Sequence, residues 1–136
     1  MPLPDLRPEL DSAALSVARY PAGWWPPAAL TEYIALIVDR DEVTLVAPAD
    51  VLAGLDPPEA IEPGWRRITF AGPLPWEMVG FLADVASRLA GARIPFTSMS
   101  GFTTDHVLVR AAQAEVALAV LRGSEPPELR RDVTNP

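Results

Sequence analysis

Residues 64–110 read GWRRITFAGPLPWEMVGFLADVASRLAGARIPFTSMSGFTTDHVLVR, and three periodicities follow one another along them. Over residues 66–71 the chain alternates, with Ile68 and Phe70 facing one way and Arg67 and Thr69 the other. That is the pattern of a half-buried strand. Over residues 75–90 apolar side chains recur at Met78, Leu82, Val85 and Leu89, with Val79 and Ala86 beside them. The spacing predicts a helix, opened by Pro75 at its first position and stopped by Gly91. Residues 94–99 and 105–109 then read as two strands joined by the loop 100–104. Residues 111–121 supply a second helix, with Ala112, Val116, Ala119 and Val120 on one side. Strand, helix, strand, strand, helix is most of a ferredoxin-like split βαβ unit.

The chain before this stretch repeats the order in shorter form. Residues 14–20 alternate and are expected to form a strand. Residues 21–30 contain Trp24-Trp25-Pro26-Pro27 and hold one short helical turn at most. Residues 33–39 are apolar on both faces, as a central strand covered on each side would be. Arg40-Asp41-Glu42 turns them into a further strand, residues 43–47, and a short helix begins near Asp50. Residues 56–64, with three prolines, are expected to be a loop. This gives an α+β protein with a flexible arm at 1–11, one unit at 12–63, a second at 64–123 and a mobile tail at 124–136. Two ferredoxin-like units need one more strand than can be counted, so either a strand is shared or one is borrowed.

Composition narrows the function. At 136 residues, 49% of them hydrophobic, the chain can bury a core. A net charge of −7 with no basic cluster argues against nucleic acid and anionic membranes. Cysteine is absent, and there is one histidine, which makes a histidine-based metal centre improbable. No cofactor is expected, since no glycine-rich phosphate loop follows a strand. The opening residues carry no basic, apolar signal segment, and no apolar run is long enough to cross a bilayer, so a cytoplasmic protein is expected.

The sequence from about Tyr33 to Gly123 resembles the ACT domain, in the tandem variant related to aspartate kinase regulatory regions and CASTOR-type sensors. The resemblance rests on Glu42-Val43-Thr44-Leu45-Val46 with Pro48 close behind, on Gly64-Trp65-Arg66, on Gly72-Pro73-Leu74 leading to Gly80, and on residues 100–109, SGFTTDHVLV. The Thr104-Asp105 pair before a strand is its most specific part. It implies tandem ferredoxin-like units, each an antiparallel sheet with helices on one face. It also implies amino-acid or metabolite binding between units, with contacts from the loop after the first strand and from the Thr-Asp block. The chain departs from the pattern at Gly101, where Thr is commoner, and at Arg93, where Gly usually precedes the second strand. The first departure leaves the ligand's identity open.

The residues point to the same place by their own chemistry. With Pro75 at the first helical position, Leu74 would be the N-cap, and leucine cannot accept a backbone hydrogen bond. The amides of Trp76, Glu77 and Met78 would then stand free to receive a carboxylate or water. Asp105 can pair with a ligand ammonium or simply form a turn. Glu77 could serve the same ammonium, though complementing the helix dipole explains it as well. Ser98, Ser100, Thr103 and Thr104 could line a polar pocket or be ordinary hairpin hydroxyls. Trp65 and Trp76 could flank the site or anchor a core or interface. His106 reads as structural or solvent-facing. The ligand-binding candidates are therefore Gly72, Leu74, Trp76, Glu77, Ser100, Phe102, Thr103, Thr104 and Asp105, with no catalytic residue and no metal ligand.

The expected function is a regulatory or sensor protein that binds a small molecule, an amino acid first of all, and does no chemistry. A homodimer is expected from the unpaired sheet edges, together with a regulated protein partner. The alternatives are a dimerisation or scaffold module with a vestigial pocket, and a small isomerase or lyase using Asp105 or Glu77 as base.

Overall fold

The computed structural model describes residues 7–72 and 75–123. In chain order the elements are β1 (Pro8–Leu10), β2 (Leu15–Pro21), β3 (Ala35–Val38), β4 (Glu42–Pro48), α1 (Ala49–Ala53), β5 (Ala60–Phe70), α2 (Phe81–Gly91), β6 (Phe96–Ser100), β7 (Asp105–Arg110) and α3 (Ala114–Leu121). They make two compact units. One comprises residues 12–65; the other comprises the described residues up to 11 and those from 66 onward. The fold is α+β, an antiparallel ferredoxin-like arrangement.

In the 12–65 unit the strands run β3-β4-β2-β5. Strand β2 pairs antiparallel with β4, from Leu15↔Pro48 to Pro21↔Glu42, and β3 pairs with β4 from Ala35↔Val46 to Val38↔Val43. Alternation places Ala18 and Tyr20 of β2 on the same side as Val43, Leu45 and Ala47 of β4, and Leu52 of α1 closes this core. The crossover from β2 to β3 carries no helix. Pro26 and Pro27 cannot continue one, because each lacks an N–H and restricts the residue before it. Trp24 instead lays its indole flat on the Tyr20 ring, centroids 3.7 Å apart and 8° from parallel. The Tyr20 hydroxyl donates to the Asp56 carbonyl at 2.9 Å.

Two expectations change in this unit. Strand β3 is not central; among the described residues it pairs only with β4, and Ile37 and Val38 are more than half exposed. The inner strand is β4, where Leu45, Val46 and Ala47 are all buried. Residues 60–64, expected as a loop, are the start of β5. Pro63 and Gly64 disguised it, and here they form an irregularity. Leu15 faces Trp65 but Val17 faces Glu62, so the β5 side carries an extra residue beside Gly64 at φ +81°.

In the second unit the strands run β1-β5-β7-β6. Ile68 and Phe70 of β5 and Val107 and Val109 of β7 face the helices. They pack with Phe81, Val85 and Leu89 of α2 and with Ala114, Ala117 and Leu121 of α3. Burying side chains of this size stabilises by about 1.5–3 kcal/mol each, and Phe81 meets Phe70 edge-on at 5.2 Å.

Residues 8–10, expected within a flexible arm, form β1 against the end of β5, from Pro8↔Phe70 to Leu10↔Ile68. Three residues do not hold a strand unaided, and the anchor is Asp11. Its N–H donates to the Arg67 carbonyl, its own carbonyl accepts from Arg66 Nε and Nη2, and its carboxylate pairs with Arg67 Nη2 at 2.8 Å. The strand count therefore resolves without an eighth strand. Strand β5 contributes its first half to one unit and its second half to the other, and β1 completes the second sheet. The expected tail, residues 124–136, lies outside the described residues.

Both helices of this unit differ from their expected form. Helix α2 starts at Phe81, not Pro75, because Gly80 sits at φ +89°, a left-handed conformation that no α-helix can pass through. Residues before it form a turn, Met78 N–H donating to the Pro75 carbonyl at 3.1 Å. The buried stripe is Phe81, Val85 and Leu89, while Leu82 is nearly half exposed. In α3 the buried side is Ala114, Ala117, Leu118 and Leu121, after a 3₁₀ turn at Ala111–Gln113. Ala112 is exposed and Val116, Ala119 and Val120 are only half-buried. Strand β6 begins at Phe96, two residues later than expected, with Ile94 buried in the core ahead of it.

Candidate functional site

A cavity of about 180 Å³ opens in the second unit between the turn ahead of α2 and the loop from β6 to β7. Its apolar wall is Pro75, Trp76, Met78, Phe81 and Phe102; its polar wall is Ser100, Thr103, Thr104 and Asp105, with Gly101 between them. Ser100 and Asp105 are cross-strand partners at the end of the β6–β7 hairpin, so the hairpin delivers both to the cavity mouth. The loop itself is tied by Gly101 N–H donating to the Thr104 carbonyl at 2.8 Å. A Cβ at Gly101 would meet that carbonyl oxygen at 3.2 Å and Thr104 Oγ1 at 3.4 Å, so glycine there lets the loop close tightly.

Trp76 and Phe102 face each other edge to face across the opening, centroids 5.2 Å apart at 81°. They remain 69% and 80% exposed. Aromatic side chains this open are not core anchors, and the pair forms a rim around the cavity.

Behind the polar wall stands His106, on the face of β7 opposite the helices. Its Nδ1 lies 2.9 Å from Thr69 Oγ1 and its Nε2 lies 3.2 Å from Thr104 Oγ1. Burial, first of all, and the nearby Arg67 cation push its pKa below the ordinary imidazole value, against a smaller upward pull from Asp105.

Of the nine candidates, the structure brings Trp76, Ser100, Phe102, Thr103, Thr104 and Asp105 to one cavity. Gly72 and Glu77 are exposed and do not line it, and Leu74 lies outside the described residues. The uncapped helix end at Trp76–Met78 does not exist, since these residues precede the helix and the Met78 amide is already bonded. Of the remaining sequence candidates, Ser98 and Trp65 also lie off the cavity. Pro75, Met78, Phe81 and Gly101 were missed as lining residues. Pro75 and Met78 were assigned to the helix, which would have turned them elsewhere, and Phe81 was not in the expected stripe.

The cavity offers one carboxylate, three hydroxyls and an apolar, aromatic wall, and among the described residues no cationic side chain lines it. That set suits a small ligand carrying an ammonium or other donors on an apolar body. The hydroxyl–imidazole contact of Thr104 and His106 is not backed by a carboxylate. The second ring nitrogen meets a threonine, which cannot stabilise an imidazolium as an acid would. Among the described residues no group of three or more His, Cys, Asp or Glu is placed to hold a metal.

Residues 60–123 match the family model for the ACT domain. They form an ACT domain. Its match begins at the first residue of β5 and takes in the whole cavity. The chain is also similar in structure to a protein of Agobacterium tumefaciens, at 25% identity and TM-score 0.74 over 89% of this chain and 90% of that one. A Vibrio cholerae protein of unknown function aligns at 27% identity and TM-score 0.66 over 86% and 88%. The ligand-free regulatory subunit of aspartate kinase from Thermus thermophilus aligns at 14% identity and TM-score 0.61 over 86% and 95%, a likeness of fold. These alignments extend beyond the ACT domain into the 12–65 unit. No curated protein sequence matches the chain. No helix of the described residues is long and apolar enough to cross a membrane.

Proposed function

We propose that this protein is a regulatory module that binds a small metabolite, an amino acid or related amine, in the ACT-domain cavity without transforming it. The observation that carries this reading is the convergence of Asp105 with the hydroxyls of Ser100, Thr103 and Thr104 under the Trp76–Phe102 rim. Asp105 takes the ligand's ammonium and the aromatic wall takes its apolar part. The carboxylate grip expected at a helix start near Trp76 is withdrawn, so recognition rests on the ammonium side. A cavity of about 180 Å³ is below the ~300 Å³ typical of drug-sized ligands and suits a metabolite. Occupancy biases one arrangement of the protein over another, read by a partner in the cytoplasm.

A thermal-shift panel of the common amino acids and simple amines tests this. A ligand at a hundredfold excess over its Kd adds about 2.7 kcal/mol of stability, which raises Tm by about 5 °C in a domain of this size. Asp105→Asn keeps size and turn-forming ability while removing charge, and a charge-assisted hydrogen bond is worth about 1.5–3 kcal/mol. Binding should weaken by about one to two orders of magnitude with Tm of the free protein unchanged. A panel with no response at millimolar concentration removes the proposal, as does turnover of a bound compound.

The exposed apolar group of Trp76, Val79, Leu82 and Phe102 favours a second reading, a homodimerisation or scaffold module whose cavity is vestigial. Light scattering over a concentration series separates the two. A dimer that Trp76→Ser dissociates, combined with a silent ligand panel, selects the second.

A further inference from the structure

We propose that His106 is a positioning residue for the cavity: by fixing its proton on Nδ1, the ring makes the Thr104 hydroxyl a hydrogen-bond acceptor toward the bound ligand. This deepens the proposed function and rests on it.

The geometry leaves few arrangements. Both ring nitrogens are engaged by hydroxyls, Thr69 at 2.9 Å on Nδ1 and Thr104 at 3.2 Å on Nε2. A neutral imidazole has one donor and one acceptor nitrogen, so the two threonines cannot play the same role. If Nε2 carries the proton, it donates to Thr104, whose own O–H is then free to turn into the cavity as a donor. If Nδ1 carries it, Thr69 receives the proton and Thr104 spends its O–H on Nε2. The cavity then sees only the lone pairs of Thr104. A doubly protonated ring forces the donor-presenting arrangement, because both threonines must accept.

The cavity decides between these states. Its carboxylate, Asp105, is the neighbour of Thr104, and among the described residues no cationic side chain lines it, so the cavity favours a ligand that brings a positively charged donor. An ammonium between Asp105 and Thr104 uses both as acceptors, and the neutral ring protonated at Nδ1 favours this, because Thr104 then spends its O–H on Nε2 and keeps both lone pairs for the ligand. Gly101 is part of the device. A β-carbon at that position would crowd the Thr104 carbonyl oxygen at 3.2 Å and so shift the residue whose hydroxyl meets the ring, while lying in ordinary contact with Thr104 Oγ1 at 3.4 Å and His106 Nε2 at 3.9 Å. The charged groups facing the imidazole are Arg67, from β5, and Asp105, from its own strand; Met99 is its cross-strand partner on β6. Arg67 opposes a second proton and Asp105 favours one, and burial adds to the effect of Arg67, so the ring is neutral over the physiological range. Acidification then exchanges an acceptor for a donor at Thr104, and ammonium binding weakens by up to about tenfold per pH unit below the ring's pKa.

His106 is the chain's one histidine, so its ring nitrogens can be read by long-range ¹H–¹⁵N spectra of the full-length protein without assignment. The expected spectrum at pH 7.5 is a single neutral tautomer protonated at Nδ1, and Thr69→Val or Gly101→Ala should convert it to a mixture. An Nε2-protonated or freely averaging ring in the wild type overturns the proposal, whether or not any ligand is known. Butylammonium and butyrate, isosteric probes of opposite charge, supply the second arm. Butylammonium should bind in preference to butyrate and should sharpen the Nδ1–H tautomer. Its affinity should fall as pH drops through the ring's own titration, followed in the same spectra, in the wild type but stay flat over that range in His106→Gln. If the fall persists in His106→Gln, the ring is not the coupled group and the proposal fails. If neither probe binds while the tautomer is as expected, the relay stands and the cavity's ligand reading fails instead.

Discussion

The 12–65 unit and the ACT domain follow the same strand order, yet they handle the first crossover in opposite ways. Between β2 and β3 the chain has prolines and no helix, and Trp24 folds down onto Tyr20 to cover the sheet. Between β5 and β6 the chain has α2, whose Phe81, Val85 and Leu89 cover the sheet together with Ala114, Ala117 and Leu121 of α3. The tryptophan in that crossover, Trp76, is then not needed as cover and stands exposed beside Phe102. The hairpins differ in the same sense. The β3–β4 turn closes through Asp39 N–H to the Glu42 carbonyl and carries charged, exposed residues, whereas the β6–β7 loop carries Phe102 and two threonines against a cavity. The comparison teaches that a helix frees an aromatic residue for recognition, and that without one the aromatic is consumed in holding the fold.

Substitution at the two aromatic pairs tests that division most severely. Tyr20 is almost fully buried, so Tyr20→Ala should cost about 3–5 kcal/mol in urea unfolding. Trp76→Ala, at an exposed position, should change stability by no more than about 0.5 kcal/mol while weakening ligand binding. Equal losses from both variants would show that Trp76 is also structural and would dissolve the contrast.

A smaller effect separates the units by pH. The His106 pKa is depressed in the folded protein, so the unfolded chain takes up a proton first as pH falls below the ordinary 6.5. Stability is therefore full above that value and is lost as pH falls through the folded pKa. The Tyr20 hydroxyl, shifted upward by burial and by Asp56, does not titrate in that window. Between pH 7.5 and 5.5 the Tm of the wild type should fall further than that of His106→Gln. Parallel curves would mean that the acid sensitivity lies elsewhere.

The smallest effect concerns how each helix ends. Helix α1 leaves through Gly54 at φ −90°, where any residue fits, while α2 is followed by Arg93 at φ +60°, where glycine is favoured. Arg93→Gly should raise stability by about 0.5–1 kcal/mol, the left-handed strain less the added chain entropy. A loss in the denaturation midpoint would show that the Arg93 side chain contributes more than its backbone costs.

These elements also show why the sequence was legible in some places and not in others. Strict alternation at Ile68–Phe70 and Val107–Val109 survives because one face is buried under helices and the other is not. The loop from Ser100 to Asp105 was legible because its residues are polar, small and consecutive, and a hairpin brings consecutive residues to one place. Strand β1 left no trace, since its three residues gain their meaning from partners some sixty positions away. In α3 nearly every residue is Ala, Val or Leu, so the burial phase had no polar contrast to reveal it. The start of α2 was hidden because Met78 and Val79 fit the apolar spacing, and only the backbone angle of Gly80 removes them. His106 could not be paired from sequence because Thr69 meets it from another strand.

Strand β1 has a consequence for the order of events during synthesis. Residues 8–10 leave the ribosome well before Ile68, Thr69 and Phe70, their partners in β5. At about 5–20 residues per second, that interval is roughly 3–12 s. Through it Leu10 and the Asp11 anchor have nothing to dock on, while the 12–65 unit needs only residues up to Trp65 to assemble. Among these strands, the one translated first is thus the one that must wait, and the ACT-domain sheet gains its outermost strand from chain made before any of the rest of it.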